Sequence, residues 1–272
     1  MNCRAVFLSG SAVLLSLVSA ARGAVVSLIP TADAFVTGGS VATGSGLPGA
    51  NYGAAGALQI SPPGSVKGEI QSLLKFDLLS AKTTFDATFG VGAWSISSIT
   101  LQLGTNFGTA GVQPNNAIFN IINGGTFKID WLANDNWGEG TGTPASPFTP
   151  ANPPVDGVTF NSLPLLLSGN DETLGTLTYV PVGNTNPPTI PAATYPLALS
   201  PGFLADVMAG QPVSLRGYAD QPGVDYLFNT KTFGSNAPTL IVNAVPEPGT
   251  VVLLVGGAFF ATRRRRRHAC AA

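Results

Sequence analysis

The segment ITLQL (residues 99–103) places an apolar residue at every second position, with Thr and Gln between them. FKIDW (residues 127–131) has the same alternation, and in SLRGY (residues 214–218) Leu and Gly alternate with Ser, Arg and Tyr. Successive side chains of a strand point to opposite faces, so a period of two indicates half-buried strands. These three segments predict that the chain folds as a β-sheet protein.

Further short segments rich in apolar and β-branched residues occur along the chain, separated by Gly, Asn, Pro and Ser clusters typical of turns. They are residues 25–29, 32–36, 58–60, 72–76, 117–122, 174–180, 195–199, 224–228 and 239–242. Only residues 200–208 have helix signals, with Ser200 as a possible cap, Pro201 in the first turn and Gly210 at the exit. The pattern predicts an all-β fold, an antiparallel, jelly-roll-like β-sandwich.

The first 23 residues have the organisation of a secretory signal peptide. A short start containing Arg4 is followed by the apolar residues 5–20 and then by small residues. Cleavage after Ala20, Ala21 or Gly23 fits the small-residue rule equally well. We therefore expect residues 1–23 to form a signal helix that is removed, and residues 24–244 to form the exported domain.

The last segment, residues 245–272, contains a Pro-Glu-Pro motif, an apolar run and a basic cluster, in that order. The motif residues are Pro246, Glu247 and Pro248, and the cluster is Arg263, Arg264, Arg265, Arg266 and Arg267. This tail resembles the PEP-CTERM sorting signal. The resemblance implies recognition by an exosortase, a membrane-embedded cysteine protease, with Glu247 as a recognition residue.

Residues 249–262 predict a short transmembrane helix. Fourteen residues span roughly 21 Å as a helix, whereas a bilayer core is about 30 Å thick. The arginines should stay cytoplasmic, which places the domain on the far side of the inner membrane. A basic run can also bind nucleic acid, but an exported chain does not meet it in the cytoplasm. We expect an inner-membrane precursor that ends in the cell envelope or outside the cell, with no nucleic-acid partner.

Charge and residue inventory restrict the chemistry of the domain. The two ends hold seven of the 13 basic residues and Glu247, which leaves residues 24–244 with six basic and 13 acidic residues and a net charge of −7. Both cysteines, Cys3 and Cys270, and the one histidine, His268, also lie in the ends. Catalytic triads, Cys–His pairs and His-bound zinc are therefore excluded from the domain. We expect no enzymatic activity and no resident cofactor.

Several motifs resemble the DNRLRE, or disaggregatase-related, domain, a β-sandwich of exported microbial proteins. They are TADAFV (31–36), NYG (51–53), LLKFDL (73–78), WGEG (137–140), GVTFN (157–161) and APTL (237–240). The resemblance spans nearly the whole exported domain. Some relatives act as carbohydrate-binding modules, so it implies exopolysaccharide as a possible partner.

Two kinds of ligand site remain open within the domain. Trp131 and Trp137 could stack on sugar rings, although the alternation around Trp131 favours the core and Trp137 lies in a polar loop. Asp130, Asp135 and Glu139 could hold calcium, cap turns or serve as the paired carboxylates of a glycan-active enzyme. We expect a non-enzymatic surface or matrix protein, with a carbohydrate-binding module as the alternative and a glycan-active enzyme as the third reading.

Overall fold

The computed structural model describes residues 23–39, 48–65, 68–104, 125–142, 144–146, 149–150, 156–179, 192–233 and 236–247. The predicted signal peptide up to residue 22, the predicted strand at 117–122 and the tail from residue 248 onward lie outside the described residues. The predicted transmembrane helix and the arginine cluster belong to that tail. None of the helices among the described residues is long and apolar enough to cross a membrane.

The described residues are mostly β-structure, and every strand pairing among them is antiparallel. The strands are β1 Ala24–Leu28, β2 Ala32–Thr37, β3 Ala57–Ile60, β4 Ile70–Asp77, β5 Trp94–Leu103, β6 Gly125–Leu132, β7 Pro144–Ser146, β8 Thr149–Pro150, β9 Glu172–Tyr179, β10 Ala193–Leu197, β11 Pro212–Ala219, β12 Tyr226–Asn229 and β13 Thr239–Pro246. The helices are α1 Leu79–Phe89 and α2 Pro201–Ala209. The alternating segment at residues 99–103 lies in β5 as predicted.

Two larger sheets organise the domain. One has four strands in the order β1-β13-β5-β10, and the other has five in the order β2-β4-β11-β6-β9. Two small two-stranded sheets, β12-β3 and β7-β8, complete the described strands. The predicted antiparallel β-rich class is therefore confirmed.

The main apolar core draws side chains from both larger sheets. Leu101 and Val242 of the four-stranded sheet belong to the same buried cluster as Leu74, Phe76 and Leu215 of the five-stranded sheet. Phe127 lies with its ring centroid 5.4 Å from that of Tyr195, which joins a strand of each sheet at an edge-to-face angle. Burial of this apolar surface is the main stabilising contribution to a domain that contains no disulfide.

A second cluster covers the other face of the five-stranded sheet. Leu73 points away from Leu74 because adjacent strand residues face opposite sides, and it packs with Trp137, Val158 and Leu163. These partners come from the connections that follow β6 and precede β9. The five-stranded sheet is thus covered on both faces, which explains why six of the eight residues of β4 are buried.

Helix α2 begins and ends where the sequence predicted, but its cap is different. Ser200 makes no side-chain cap hydrogen bond to the helix. Instead, the carboxylate of Glu172 accepts hydrogen bonds from the N–H groups of Gly202 at 2.9 Å and Phe203 at 3.0 Å, and from the Ser200 hydroxyl at 2.5 Å. The cap therefore comes from β9, which a local reading of the sequence misses.

Helix α1 corrects the prediction of one helix. Thr83, Thr84 and Thr88 give the segment low helix propensity and a strand-like composition. Each of the three hydroxyls donates to the carbonyl oxygen four residues earlier. Phe85 is buried against the core, so tertiary burial of one face stabilises a helix that local propensity disfavours.

The buried side chain of Asn51 joins loop segments that are far apart in sequence. Its amide nitrogen donates to the carbonyl oxygens of Glu139 and Val158, each at 2.8 Å. Its carbonyl oxygen accepts from the N–H groups of Gly53 at 3.1 Å and Gly142 at 2.9 Å. Asn51 is fully buried, and its amide satisfies backbone groups that water does not reach.

The glycines around this amide are required because the backbone segments lie too close together for a side chain. A Cβ on Gly53 would lie 2.0 Å from the backbone carbonyl oxygen of Glu139. A Cβ on Gly142 would lie 1.8 Å from the backbone carbonyl oxygen of Asn51. Both distances are far below van der Waals contact. The NYG and WGEG motifs, separate in sequence, thus form one packed junction with residues 157–158, which we call the Asn51 junction.

We predict that Asn51→Asp and Asn51→Ala each lower the free energy of unfolding by at least about 3 kcal/mol, because several buried backbone groups lose their partner. Asp has the same shape but replaces the donor with an oxygen that faces two carbonyl oxygens. Urea unfolding of the exported domain measures the change. Asn161→Ala, at an exposed position, is the matched control. An Asp variant as stable as this control would contradict the role of the junction.

Candidate functional site

The predicted sorting motif begins inside the folded domain. β13 extends to Pro246, which pairs with Trp94 of β5. The N–H of Glu247 donates to the carbonyl oxygen of Ala93 at 2.9 Å, and the Glu247 side chain is exposed. Pro248 lies outside the described residues. Pro246 therefore continues the extended strand, and Glu247 follows it while still bonded to the turn before β5.

The turn at residues 90–93, which accepts the Glu247 hydrogen bond, is itself held in place by hydrogen bonds. The N–H of Ala93 donates to the Gly90 carbonyl oxygen at 3.1 Å. The next residue, Trp94, is buried, and its indole N–H donates to the Asp86 carboxylate of α1 at 2.8 Å. Hydrogen bonds from Lys82 and from Trp94 hold the pKa of Asp86 below its usual value. Helix α1 thus fixes the turn against which the motif lies.

The acidic residues of the predicted site contact separate partner side chains. Asp130 accepts a hydrogen bond from Thr173 at 2.9 Å, and its other oxygen lies 3.7 Å from an Arg216 guanidinium nitrogen. Glu139 forms an ion pair with Lys231. These two acids therefore already have partners on β9, β11 and the segment after β12.

Asp135 is the third acid, and it lies half-buried in the loop after β6. Burial raises its pKa, while Ser214 and Lys75 beside it act in the opposite direction. Among the described residues, no three His, Cys, Asp or Glu side chains come together in a way that could hold a metal ion. Calcium binding by Asp130, Asp135 and Glu139 stays a prediction, and it would require the existing ion pairs to open.

Both candidate tryptophans are buried. Trp131 is 6% exposed and belongs to the main core, as its alternation indicates. Trp137 is 8% exposed, and its indole N–H donates to the Ser214 hydroxyl at 2.8 Å. The ammonium of Lys75 lies 4.7 Å from the Trp137 ring centroid and donates to the Trp137 carbonyl oxygen at 2.6 Å. Neither ring offers an open face for stacking in this conformation.

An open pocket nevertheless lies beside Trp137. It has a volume of about 380 Å³, and its lining includes Asn134, Asn136, Trp137, Val158, Ser162 and Leu166. Asn136 is exposed, so its amide is available to a ligand. The pocket combines amide and hydroxyl groups with a small apolar surface, which is chemically suited to a polar molecule such as a sugar.

One charged group in the domain was not identified from the sequence. Asp33 is 1% exposed, and it accepts a hydrogen bond from the N–H of Lys231 at 2.5 Å. Burial raises its pKa to about 6, and the negative charge of nearby Glu139 adds to the rise. The sequence did not indicate this buried carboxylate, because its partner, Lys231, lies 198 residues away.

Comparison with known proteins supports the reading of the tail. Residues 244–267 match the family described as the PEP-CTERM protein-sorting motif. No curated protein matches the chain. The motif implies an exported protein that is membrane-anchored before processing and is sorted to the cell surface by an exosortase. The chain therefore falls in the class of proteins that carry this sorting signal.

We predict that Asp33→Asn removes a pH-dependent cost of folding. The folded-state pKa of about 6 exceeds the unfolded value, so the folded state binds more protons between about pH 4 and 6. The free energy of unfolding therefore falls as pH rises through this range, by up to about 3 kcal/mol. Asn is neutral and can still accept from Lys231.

The measurement is urea unfolding of the native domain and the variant at pH 4, 5, 6 and 8. The variant should gain stability relative to the native domain as pH rises, and Asp77→Asn, on an exposed carboxylate, should not. If the difference in free energy of unfolding between the native domain and Asp33→Asn is constant with pH, the raised pKa of Asp33 is contradicted.

Proposed function

We propose that the chain is a non-enzymatic surface or extracellular-matrix protein, displayed or released after exosortase recognises Pro246, Glu247 and Pro248. The observation that carries this is the position of Glu247. Its side chain is exposed at the end of the last strand, while its backbone N–H bonds to Ala93. The fold gives the carboxylate no structural role, and it leaves the group free for a protease to read.

The residue inventory supports a non-enzymatic role. The exported domain contains neither His nor Cys, which removes the commonest general bases and nucleophiles. Two of the three acids in residues 130–139 are bound to cationic side chains. A carboxylate-dependent glycan-active enzyme stays the third reading, and turnover of a polysaccharide by the purified domain would establish it.

We also propose that the two larger sheets form a jelly-roll-like sandwich of the DNRLRE type. Shared burial of their inner faces in one core supports a sandwich. Support for the DNRLRE type comes from the Asn51 junction, because three of the motifs that carry the resemblance meet there. They are NYG (51–53), WGEG (137–140) and the start of GVTFN (157–161).

We predict that Glu247→Ala blocks shortening of the chain while leaving export and folding intact. The test is the size and location of the protein in a host that has the exosortase. Glu247→Gln, which keeps the shape, reports whether the charge itself is read. The thermal midpoints of all three chains should agree, since the side chain is exposed. Normal shortening of the Ala variant would show that processing does not read Glu247 and would contradict the proposed recognition.

A second candidate function, binding of exopolysaccharide, is favoured by the pocket beside Trp137. Its lining offers the exposed amide of Asn136 and the half-buried amide of Asn134 as hydrogen-bonding groups. Such groups orient a polar ligand, while the adjoining apolar side chains supply contact area. The net charge of −7 for residues 24–244 favours neutral over anionic glycans.

We predict that a neutral glycan bound by the exported domain on a glycan array loses about tenfold in affinity on Asn136→Ala, the loss expected for one hydrogen bond. Asn170→Ala, at another exposed Asn outside the pocket lining, should leave binding unchanged. Absence of any bound glycan, or equal loss in both variants, would remove this candidate.

A further inference from the structure

Both ends of the exported domain leave the four-stranded sheet at the same place. Ala24 of β1 is the register partner of Ala244 of β13, so the exits lie on neighbouring strands, about 4.8 Å apart. The N–H of Glu247 then bonds to Ala93, at 2.9 Å. Residues 90–93, the Val91 turn, therefore stand beside the point where the sorting tail begins.

The covalent chain limits how far the Val91 turn can lie from the membrane. Val251, the first residue of the long apolar run, follows Glu247 by only four positions along the chain. A fully extended chain covers at most about 3.6 Å per residue, so this distance is no more than about 14 Å. The headgroup region on each side of a bilayer is about 5–8 Å thick. The turn is thus held at or close to the headgroups in the unprocessed protein.

The shortness of the apolar segment favours contact between the Val91 turn and the membrane. Residues 249–262, read as a helix, cover about 21 Å of a core of about 30 Å. The arginines that follow hold the cytoplasmic end. The remaining distance is met by thinning the bilayer or by drawing the preceding residues inward. Since Glu247 is bonded to Ala93, drawing the tail inward brings the turn with it.

The Val91 turn has the chemistry of an interfacial contact. Val91 is 84% exposed, the most exposed large apolar side chain among the described residues. Gly90 and Gly92 flank it, both with positive φ, and no charged residue occurs from Ala87 to Phe127. The nearest charges on the preceding helix, Lys82 and Asp86, form an ion pair with each other. An isolated valine at the tip of a neutral turn gains free energy when it leaves water.

We propose that the Val91 turn is a membrane-contact surface, which rests on the bilayer into which the sorting tail inserts. This inference rests on the proposed anchoring of the unprocessed chain. The contact orients the domain with the exposed ends of β1 and β13 toward the lipid. It also holds Glu247 at the membrane surface, at the depth where a membrane-embedded protease can reach it.

The test uses the absence of thiols in the domain. In the full chain with Cys3→Ser and Cys270→Ser, Val91→Cys introduces the sole thiol for an environment-sensitive nitrobenzoxadiazole dye. The unprocessed protein, purified from a host without exosortase, is reconstituted into phosphatidylcholine vesicles that contain a lipid spin-labelled at the headgroup. Leu165→Cys is the control, because Leu165 is 79% exposed but lies on the segment that covers the outer face of the five-stranded sheet.

The dye at position 91 should be quenched by the spin-labelled lipid and shifted to the blue, severalfold more than the dye at position 165. Equal quenching at both positions, or none at position 91 in protein that floats with the vesicles, would overturn the proposed contact. Failure of the chain to float at all would instead contradict the anchoring on which the inference rests. Thermal melts of both variants check that the labelled domains are folded.

Discussion

The amide of Asn51 is the constraint on which the arrangement of the loops depends. A carboxamide offers two donors and an acceptor with two lone pairs. Here both donors and two acceptor positions are used by backbone groups, three of which belong to other segments. The loops after β6 and before β9 are thereby held over the outer face of the five-stranded sheet. Without them Leu73 and its neighbours would be exposed to water. One polar side chain thus allows an apolar sheet to be buried on both faces.

The same junction sets the electrostatics of its surroundings. By fixing the Glu139 backbone, it places the carboxylate of that residue where Lys231 can pair with it and where its charge raises the pKa of Asp33. It also brings Trp137 against the sheet, where the Lys75 ammonium donates to the Trp137 carbonyl oxygen. The pocket beside Trp137 is a consequence of this packing. Its position therefore depends on the junction more than on any one lining residue.

The sorting function is located elsewhere in the fold. β13 is paired on both sides, by β1 and β5, and continues directly into the Pro-Glu-Pro motif. The first two residues of the motif, Pro246 and Glu247, consequently take their position from the sheet. Helix α1 contributes by holding Trp94 and the turn that precedes it. A helix that the sequence did not predict thus helps to position Glu247, the middle residue of the sorting motif.

Local patterns were enough to predict the strands whose side chains alternate, such as residues 99–103 and 127–131, and to identify the motif around Glu247, because these signals need no distant contact. The sequence could not reveal that Glu172 caps α2, that Asp33 is buried beside Lys231, or that β13 extends into the sorting motif. It also missed α1, whose threonines disfavour the helix that burial of Phe85 stabilises. Only the tertiary structure decided these features, since each depends on groups from distant parts of the chain, and such contacts have no fixed spacing in the sequence.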